Sequence, residues 1–140
     1  MSDSKPSGNP DKSASEIWWG EGNDLRCGRV TGRITSGGWR WNVSSTGSIW
    51  LWLNQEGSGL VWGEKDRFIL KPGMYAMTGG GNSGDWSCVR YPGMHTLEVV
   101  VISREWLRDR LGKNTGWLHP ELAKWLKDGG SIAFCGLMGV

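Results

Sequence analysis

Trp39 and Trp41 lie two residues apart in the stretch GGWRWNVSSTGSIWLWLN, and so do Trp50 and Trp52. In an extended strand, residues at this spacing point the same way. Each pair therefore presents two flat apolar faces on one side of its strand. Each indole also carries an N–H that needs an acceptor once buried. Trp62 and Trp86 are placed to extend the same strip, and Arg40 and Arg90 are the arginines placed to meet a carboxylate. These residue types support stacking and anion recognition, the chemistry of a pocket for a flat organic ligand. The plainer reading is core filling, because Trp has high strand propensity and packs well.

Other chemistries leave weaker traces. The chain has two histidines, His95 and His119, and no His-x-His pair. His95 and Glu98 are three apart, which sets them on opposite faces of a strand. His119 precedes Pro120 at a helix start and reads as a cap, so no protein metal site is expected. There is no Gly-x-Ser-x-Gly motif, and no cysteine sits in a nucleophile context. The TGGGNSGD run at 78–85 lacks the Lys-Ser/Thr pair and the following helix of a phosphate-binding loop. The chain is expected not to be an enzyme.

Those tryptophans need a frame. At 140 residues the chain is expected to form one domain with a genuine core. Its 23 glycines and 11 tryptophans favour many turns and large side chains on pleated surfaces, hence a mainly β domain. The net charge of +2 is too small a basic footprint for direct nucleic-acid binding. Between Leu25 and Leu53 the charged residues are Arg26, Arg29, Arg33 and Arg40 alone. That cluster is either a solvated sheet face or an attraction for anions. Cys27, Cys88 and Cys135 are odd in number and widely spaced, which fits reduced thiols in a cytoplasmic protein. No apolar run approaches the ~20 residues of a membrane span, and the N-terminus lacks a signal-peptide core.

Residues 1–15 are almost devoid of apolar side chains and read as a disordered tail or an arm. The arm is expected to run to about residue 20, with Trp18 and Trp19 at its end as a lid over the pocket. About nine strands follow between residues 16 and 102, separated by Gly-containing breaks that suit antiparallel hairpins. After Ile102 the period changes. Ser103 caps a helix with Trp106, Leu107 and Leu111 on one face and Gly112 at its end. Pro120 opens a second helix striped by Leu122, Trp125 and Leu126 and ended by Gly129. The helices of residues 103–128 are expected to pack on the strands. The uncharged end at 129–140, SIAFCGLMGV at its close, reads as the start of a truncated linker or dimerisation segment.

The stretch SIWLWLNQEGSGLVWGEKDRFILKPGMYAMT resembles the barrel segment of AraC/XylS-type transcription regulators, with their L-x-P-G motif at Leu70, Pro72 and Gly73. HTLEVVVISREWLRDRLG followed by LHPELAKWL resembles the same proteins where the last strand leads into a Ser-x-x-Trp-Leu helix. The likeness covers roughly residues 47–128 and looks strongest to the pyochelin-regulator branch, which senses a ferric siderophore. It implies a cupin-like antiparallel β-barrel, a double-sheet jelly roll, that binds a small-molecule effector and is followed by two short helices. It further implies homodimerisation of the full-length regulator. DNA would be bound only through a C-terminal domain outside this sequence. Any iron would arrive inside a siderophore, with no intrinsic cofactor. The tryptophan content departs from that family, and ligand contacts do not carry over by motif. The expected ligand residues therefore rest on strand facing: Trp39, Arg40, Trp41, Trp50, Trp52, Trp62, Trp86 and Arg90. Two other classes stay open, a carbohydrate-binding β-sandwich and a metal-poor cupin enzyme that either lacks the usual ligands or uses Cys88, His95 and a carboxylate.

Overall fold

The computed structural model describes residues 6–7, 14–22, 24–35, 38–44, 47–80 and 85–139. In chain order the elements are β1 (Pro6–Ser7), β2 (Ser15–Glu21), β3 (Leu25–Ile34), β4 (Trp39–Ser44), β5 (Ser48–Glu56), β6 (Gly59–Trp62), β7 (Arg67–Leu70), β8 (Met74–Gly79), β9 (Asp85–Arg90) and β10 (Gly93–Ser103). Then come α1 (Arg104–Leu111), α2 (Pro120–Asp128) and β11 (Ile132–Leu137). The strands form two sheets. The smaller has the order β1-β4-β9-β6-β7, the larger β11-β8-β5-β10-β3-β2. Every pairing is antiparallel.

The alternation legible in the sequence decides which side chains turn inward. Along β4 the burial runs Trp39 in, Arg40 out, Trp41 in, Asn42 out, Val43 in. Along β10, His95, Leu97, Val99 and Val101 point in while Thr96, Glu98 and Val100 point out. The inward residues of both sheets build one core, which includes Val30, Trp41, Trp50, Trp52, Val61, Leu70, Ala76, Leu97 and Val99. The two sheets thus clasp a shared apolar interior, as a double-sheet β fold must.

A second, smaller core lies on the outer face of the larger sheet. Ile49, Met77, Ile102, Ile132 and Phe134 from the sheet meet Leu107 and Leu111 of α1 and Leu122, Trp125 and Leu126 of α2. The caps act as the sequence predicts. The Ser103 side chain accepts the Trp106 N–H at 3.1 Å, and the His119 imidazole accepts the Glu121 N–H at 3.1 Å. Gly112 and Gly129 close the two helices at φ +57 and +76, where a Cβ would be strained. Arg104, the first residue of α1, reaches the far end of α2. Its guanidinium donates to the carbonyls of Trp125, Leu126 and Lys127 at 2.9, 2.9 and 3.1 Å. The Trp125 carbonyl also accepts from the capping Gly129 N–H at 2.8 Å, and Leu126 and Lys127 belong to the last turn, whose carbonyls lack a later helical N–H. Arg104→Ala is expected to lower stability by about 1–2 kcal/mol in urea unfolding, since one charged donor serves three carbonyls at the end of α2.

Two expectations concern the ends. The 129–140 segment, expected as the start of a truncated linker or dimerisation segment, contains strand β11. Ile132–Leu137 pairs along its whole length with β8, and Ile132 and Phe134 join the second core while Leu137 is exposed. The arm expected over residues 1–20 is not free at its C-terminal end. Ser15–Glu21 is the edge strand β2, registered on β3 from Ser15↔Thr31 to Glu21↔Leu25. The tail expected at 1–15 falls largely outside the described residues, apart from Pro6–Ser7 on β4 and residues 14–15. Residues 81–84 of the TGGGNSGD run also lie outside them, whereas Thr78 and Gly79 end β8 and Asp85 opens β9.

Candidate functional site

Trp41 stands at the centre of the interior. Its ring centroid lies 6.0 Å from Trp39, 5.5 Å from Trp18, 5.9 Å from Trp50 and 5.8 Å from Trp52. Trp39 is parallel to it, and the other three are edge-on. Trp50 and Trp52 stack on each other at 5.3 Å. These are the offset-stacked and T-shaped arrangements that the indole quadrupole favours. The sequence leaves open whether β4 and β5 are neighbours. They are consecutive in the chain but belong to opposite sheets, so the two Trp pairs face each other across the core. Trp86, 6% exposed, belongs to the same cluster.

The indole N–H groups are served unequally. Trp52 Nε1 donates to Thr78 Oγ1 at 2.9 Å. Trp39 Nε1 and Trp50 Nε1 are buried and have no partner among the described residues. An unmet buried donor costs on the order of 1–3 kcal/mol. A core built for stability alone would give both an acceptor or use phenylalanine.

Trp18 covers the cluster from β2. It is half-buried, edge-on to Trp41 and to Trp50, and Arg26 lies over its ring at 5.8 Å. Gly28 makes this seat. A Cβ there would stand 2.9 Å from the Trp18 ring. Trp19, its neighbour, turns outward and is 47% exposed. Of the two expected lid residues, one reaches the interior and the other does not, because adjacent strand residues face opposite ways.

At one end of the barrel Arg90 is buried, 1% exposed. Its Nε donates to His95 Nδ1 at 3.1 Å, and its Nη2 donates to Asn54 Oδ1 and, at 3.2 Å, to the Glu56 carbonyl. Asn54 Nδ2 donates in turn to the Gly57 carbonyl at 2.9 Å. Because Nδ1 of His95 accepts from an arginine, Nε2 carries the proton and donates to the Tyr91 carbonyl. Burial holds the His95 pKa below its ordinary value, against the pull of the Tyr91 carbonyl, and the Arg90 charge adds to the depression. Burial also lowers Arg90, and it pushes the Cys88 thiol up to about 11 although Arg90 partly offsets that. Cys88 is therefore a protonated thiol near neutrality and a poor nucleophile.

A pH dependence follows. The folded imidazole resists the proton that the unfolded one takes up near its reference value of 6.5. The stability that neutral His95 contributes is complete above that value and is lost as pH falls below it toward the depressed folded pKa. Urea midpoints should fall as the pH is lowered from neutrality through that reference value, and His95→Gln should flatten that slope.

Not every expected residue joins the site. Arg40 and Trp62 lie on the outer face of the smaller sheet, where the guanidinium sits over the indole at 5.4 Å. The parity of β4 and β6 puts them there: Trp41 and Val61 point in, so their neighbours point out. The arginine cluster does not converge. Arg29 pairs with Glu98 at 3.0 Å on the outer face of the larger sheet, and Arg26 covers Trp18. Gln55 and Arg29 hold the Glu98 carboxyl below its usual range, and Glu98 points away from His95 as the three-residue spacing predicts. The interior placement of the Trp pairs also removes the open aromatic strip that the carbohydrate reading needs. Strand reasoning passed over Asn54 and Thr78. Asn54 was within reach, because it continues the Trp50, Trp52 parity by one more step.

No group of three or more His, Cys, Asp or Glu side chains is placed to hold a metal ion among the described residues. Both ring nitrogens of His95 are engaged in hydrogen bonds within the protein. No helix is long and apolar enough to cross a membrane among the described residues.

No protein-family model matches the chain, and no curated protein is similar at a significant level. Solved structures do match. The cupin domain of Schizosaccharomyces pombe Cnp3 is 16% identical, with 79% of this chain and 74% of that one covered and a TM-score of 0.52. A cupin superfamily protein from Desulfitobacterium hafniense is 9% identical, covering 69% and 84%, with a TM-score of 0.51. Protein Ylba of E. coli is 13% identical over 66% of this chain at a TM-score of 0.51, and the match spans only 38% of that longer protein. Two antiparallel sheets clasping one core, two short helices on the larger sheet and these matches together give the chain the cupin fold, a double-sheet β-barrel.

Proposed function

We propose that this chain is the effector-sensing domain of an AraC-type transcription regulator, and that it takes a flat aromatic small molecule among Trp18, Trp39, Trp41, Trp50 and Trp52. The observation that carries this reading is the pair of buried, unpartnered indole N–H groups on Trp39 and Trp50 inside an aromatic cluster. Stacking faces with unspent donors are what a ligand with acceptor atoms completes. The resemblance of residues 47–128 to the regulator barrel supplies the family.

The lid is β2. As an edge strand it pairs, among the described residues, with β3 alone, so its release breaks that ladder. Release would carry Trp18 off Trp41 and Trp50 and uncover the Trp50 donor. A ligand that binds only with β2 displaced shifts the population toward that state, which is the signal such a domain must pass on. A ferric siderophore is one such ligand, with its iron held by the chelate. DNA binding would belong to a C-terminal domain outside these residues.

Tryptophan fluorescence titrated with ferric siderophores and flat aromatic molecules tests the reading. Saturable quenching that Trp50→Phe weakens is the expected result, since phenylalanine keeps a ring and loses the donor. A folded protein silent to the whole panel would overturn it.

A further inference from the structure

Among the described residues no anion hydrogen-bonds the Arg90 guanidinium. Its partners, Asn54 Oδ1, the Glu56 carbonyl and His95 Nδ1, are all uncharged. Cys88 does not balance it, because the thiol is held protonated. The Glu56 carboxylate accepts from Thr96 Oγ1 at the surface, and its charge reaches His95 without a hydrogen bond to the guanidinium. The ion pair present among the described residues, Arg29–Glu98, is on the outer face of the larger sheet. A buried charge normally has a counter-charge, because desolvation without one costs several kcal/mol.

The guanidinium is also incompletely used. Its Nη1 is buried and has no partner among the described residues. Gly59 leaves room for it, since a Cβ there would stand 3.2 Å from both Nη1 and Cδ. Directly across the β4–β9 ladder, in register with Arg90, is Trp39, whose Nε1 is the other unmet donor at this end. Paired positions on neighbouring strands bring such side chains to the same spot on one face.

We propose that the Arg90 end of the barrel takes a carboxylate, the acidic group of the aromatic ligand, through Arg90 Nη1 and Trp39 Nε1. This rests on the sensor reading, because the anion enters with the same opening of β2. It narrows the ligand to a flat aromatic acid and gives the buried guanidinium its missing charge. Two N–H donors, one of them charged, match the two oxygens of a carboxylate. A neutral amide of the same shape offers one oxygen and no charge.

The test compares 2-naphthoate with 2-naphthamide on the 15N-labelled full chain, reading the indole Nε1–H and arginine Nε–H resonances. Naphthoate is expected to bind about tenfold or more tightly than the amide, as loss of one charge-assisted contact implies. It should also shift the Trp39 and Arg90 signals. Trp39→Phe should weaken naphthoate several-fold and leave naphthamide unchanged. Arg90→Gln should reduce the acid to the affinity of the amide. The Trp39 variant keeps the test intact if Arg90→Gln does not fold. Equal binding of acid and amide overturns the carboxylate and leaves the sensor reading standing. Binding of neither overturns it too, while the chelate panel judges the sensor reading separately.

Discussion

Trp41→Ala is expected to destabilise the protein by roughly 4 kcal/mol, within the range for emptying a buried aromatic site. Trp41 is 1% exposed and is the shared neighbour of Trp18, Trp39, Trp50 and Trp52. Its loss leaves a cavity between the two sheets, and backbones held in ladders on both sides cannot close over it. It also removes the edge-on partner of each opposing indole, and such aromatic pairs add about 0.5–1.5 kcal/mol each beyond burial. Urea unfolding measures the loss directly. The contrast is Trp62→Ala, on the outer face of the smaller sheet. There only a half-buried ring and its contact with Arg40 are lost, and a cost of about 1 kcal/mol or less is expected. If the two substitutions cost the same, the cluster is not the centre of the core.

Gly57→Ala should cost about 3 kcal/mol, from backbone strain together with damage to a buried polar network. Gly57 sits at φ +86 in the turn between β5 and β6, a conformation that L side chains rarely adopt. The added methyl would stand 2.3 Å from His95 Nδ1 and 2.7 Å from the Met94 carbonyl. The imidazole must move, and it is the acceptor for Arg90 Nε. One methyl group thus strains the turn and takes a partner from a buried cation. The Arg90 Nε–H resonance should shift along with the loss in urea midpoint. Gly116→Ala is the control, because nothing lies within 4 Å of its added Cβ and the position requires no left-handed backbone.

Local pattern carried a good part of this structure. The two-residue spacing of Trp39 with Trp41 and of Trp50 with Trp52 fixes that each pair shares a face, and all of them turn inward. Ser103, Pro120, Gly112 and Gly129 mark the helix ends through cap chemistry that needs only neighbouring residues. Pairing between distant strands was not legible. Nothing local says that β4 and β5, consecutive in the chain, go to opposite sheets. Nor does it say that Ile132–Leu137 returns to pair with β8 beside the middle of the chain. For the same reason Arg40 and Trp62 were grouped with an interior they do not enter. A single residue of parity separates them from Trp41 and Val61, and hydrophobicity alone places every tryptophan inside. The network of Asn54, Arg90 and His95 joins residues 36 and 5 positions apart. Only the barrel closure brings them together.

Indoles held 5.3–6.0 Å apart do not absorb light as separate molecules. Their electronic transitions couple, so the far-ultraviolet circular dichroism of this protein will carry an exciton couplet on top of the strand signal. Helix and strand contents fitted to that spectrum will be misjudged, and the couplet itself will report whether the two sheets remain clasped. Excitation will also migrate among the coupled rings before it is emitted. A guest touching any one of them would darken the group, so the intensity of quenching will reveal occupancy while leaving the particular ring touched to be found by substitution.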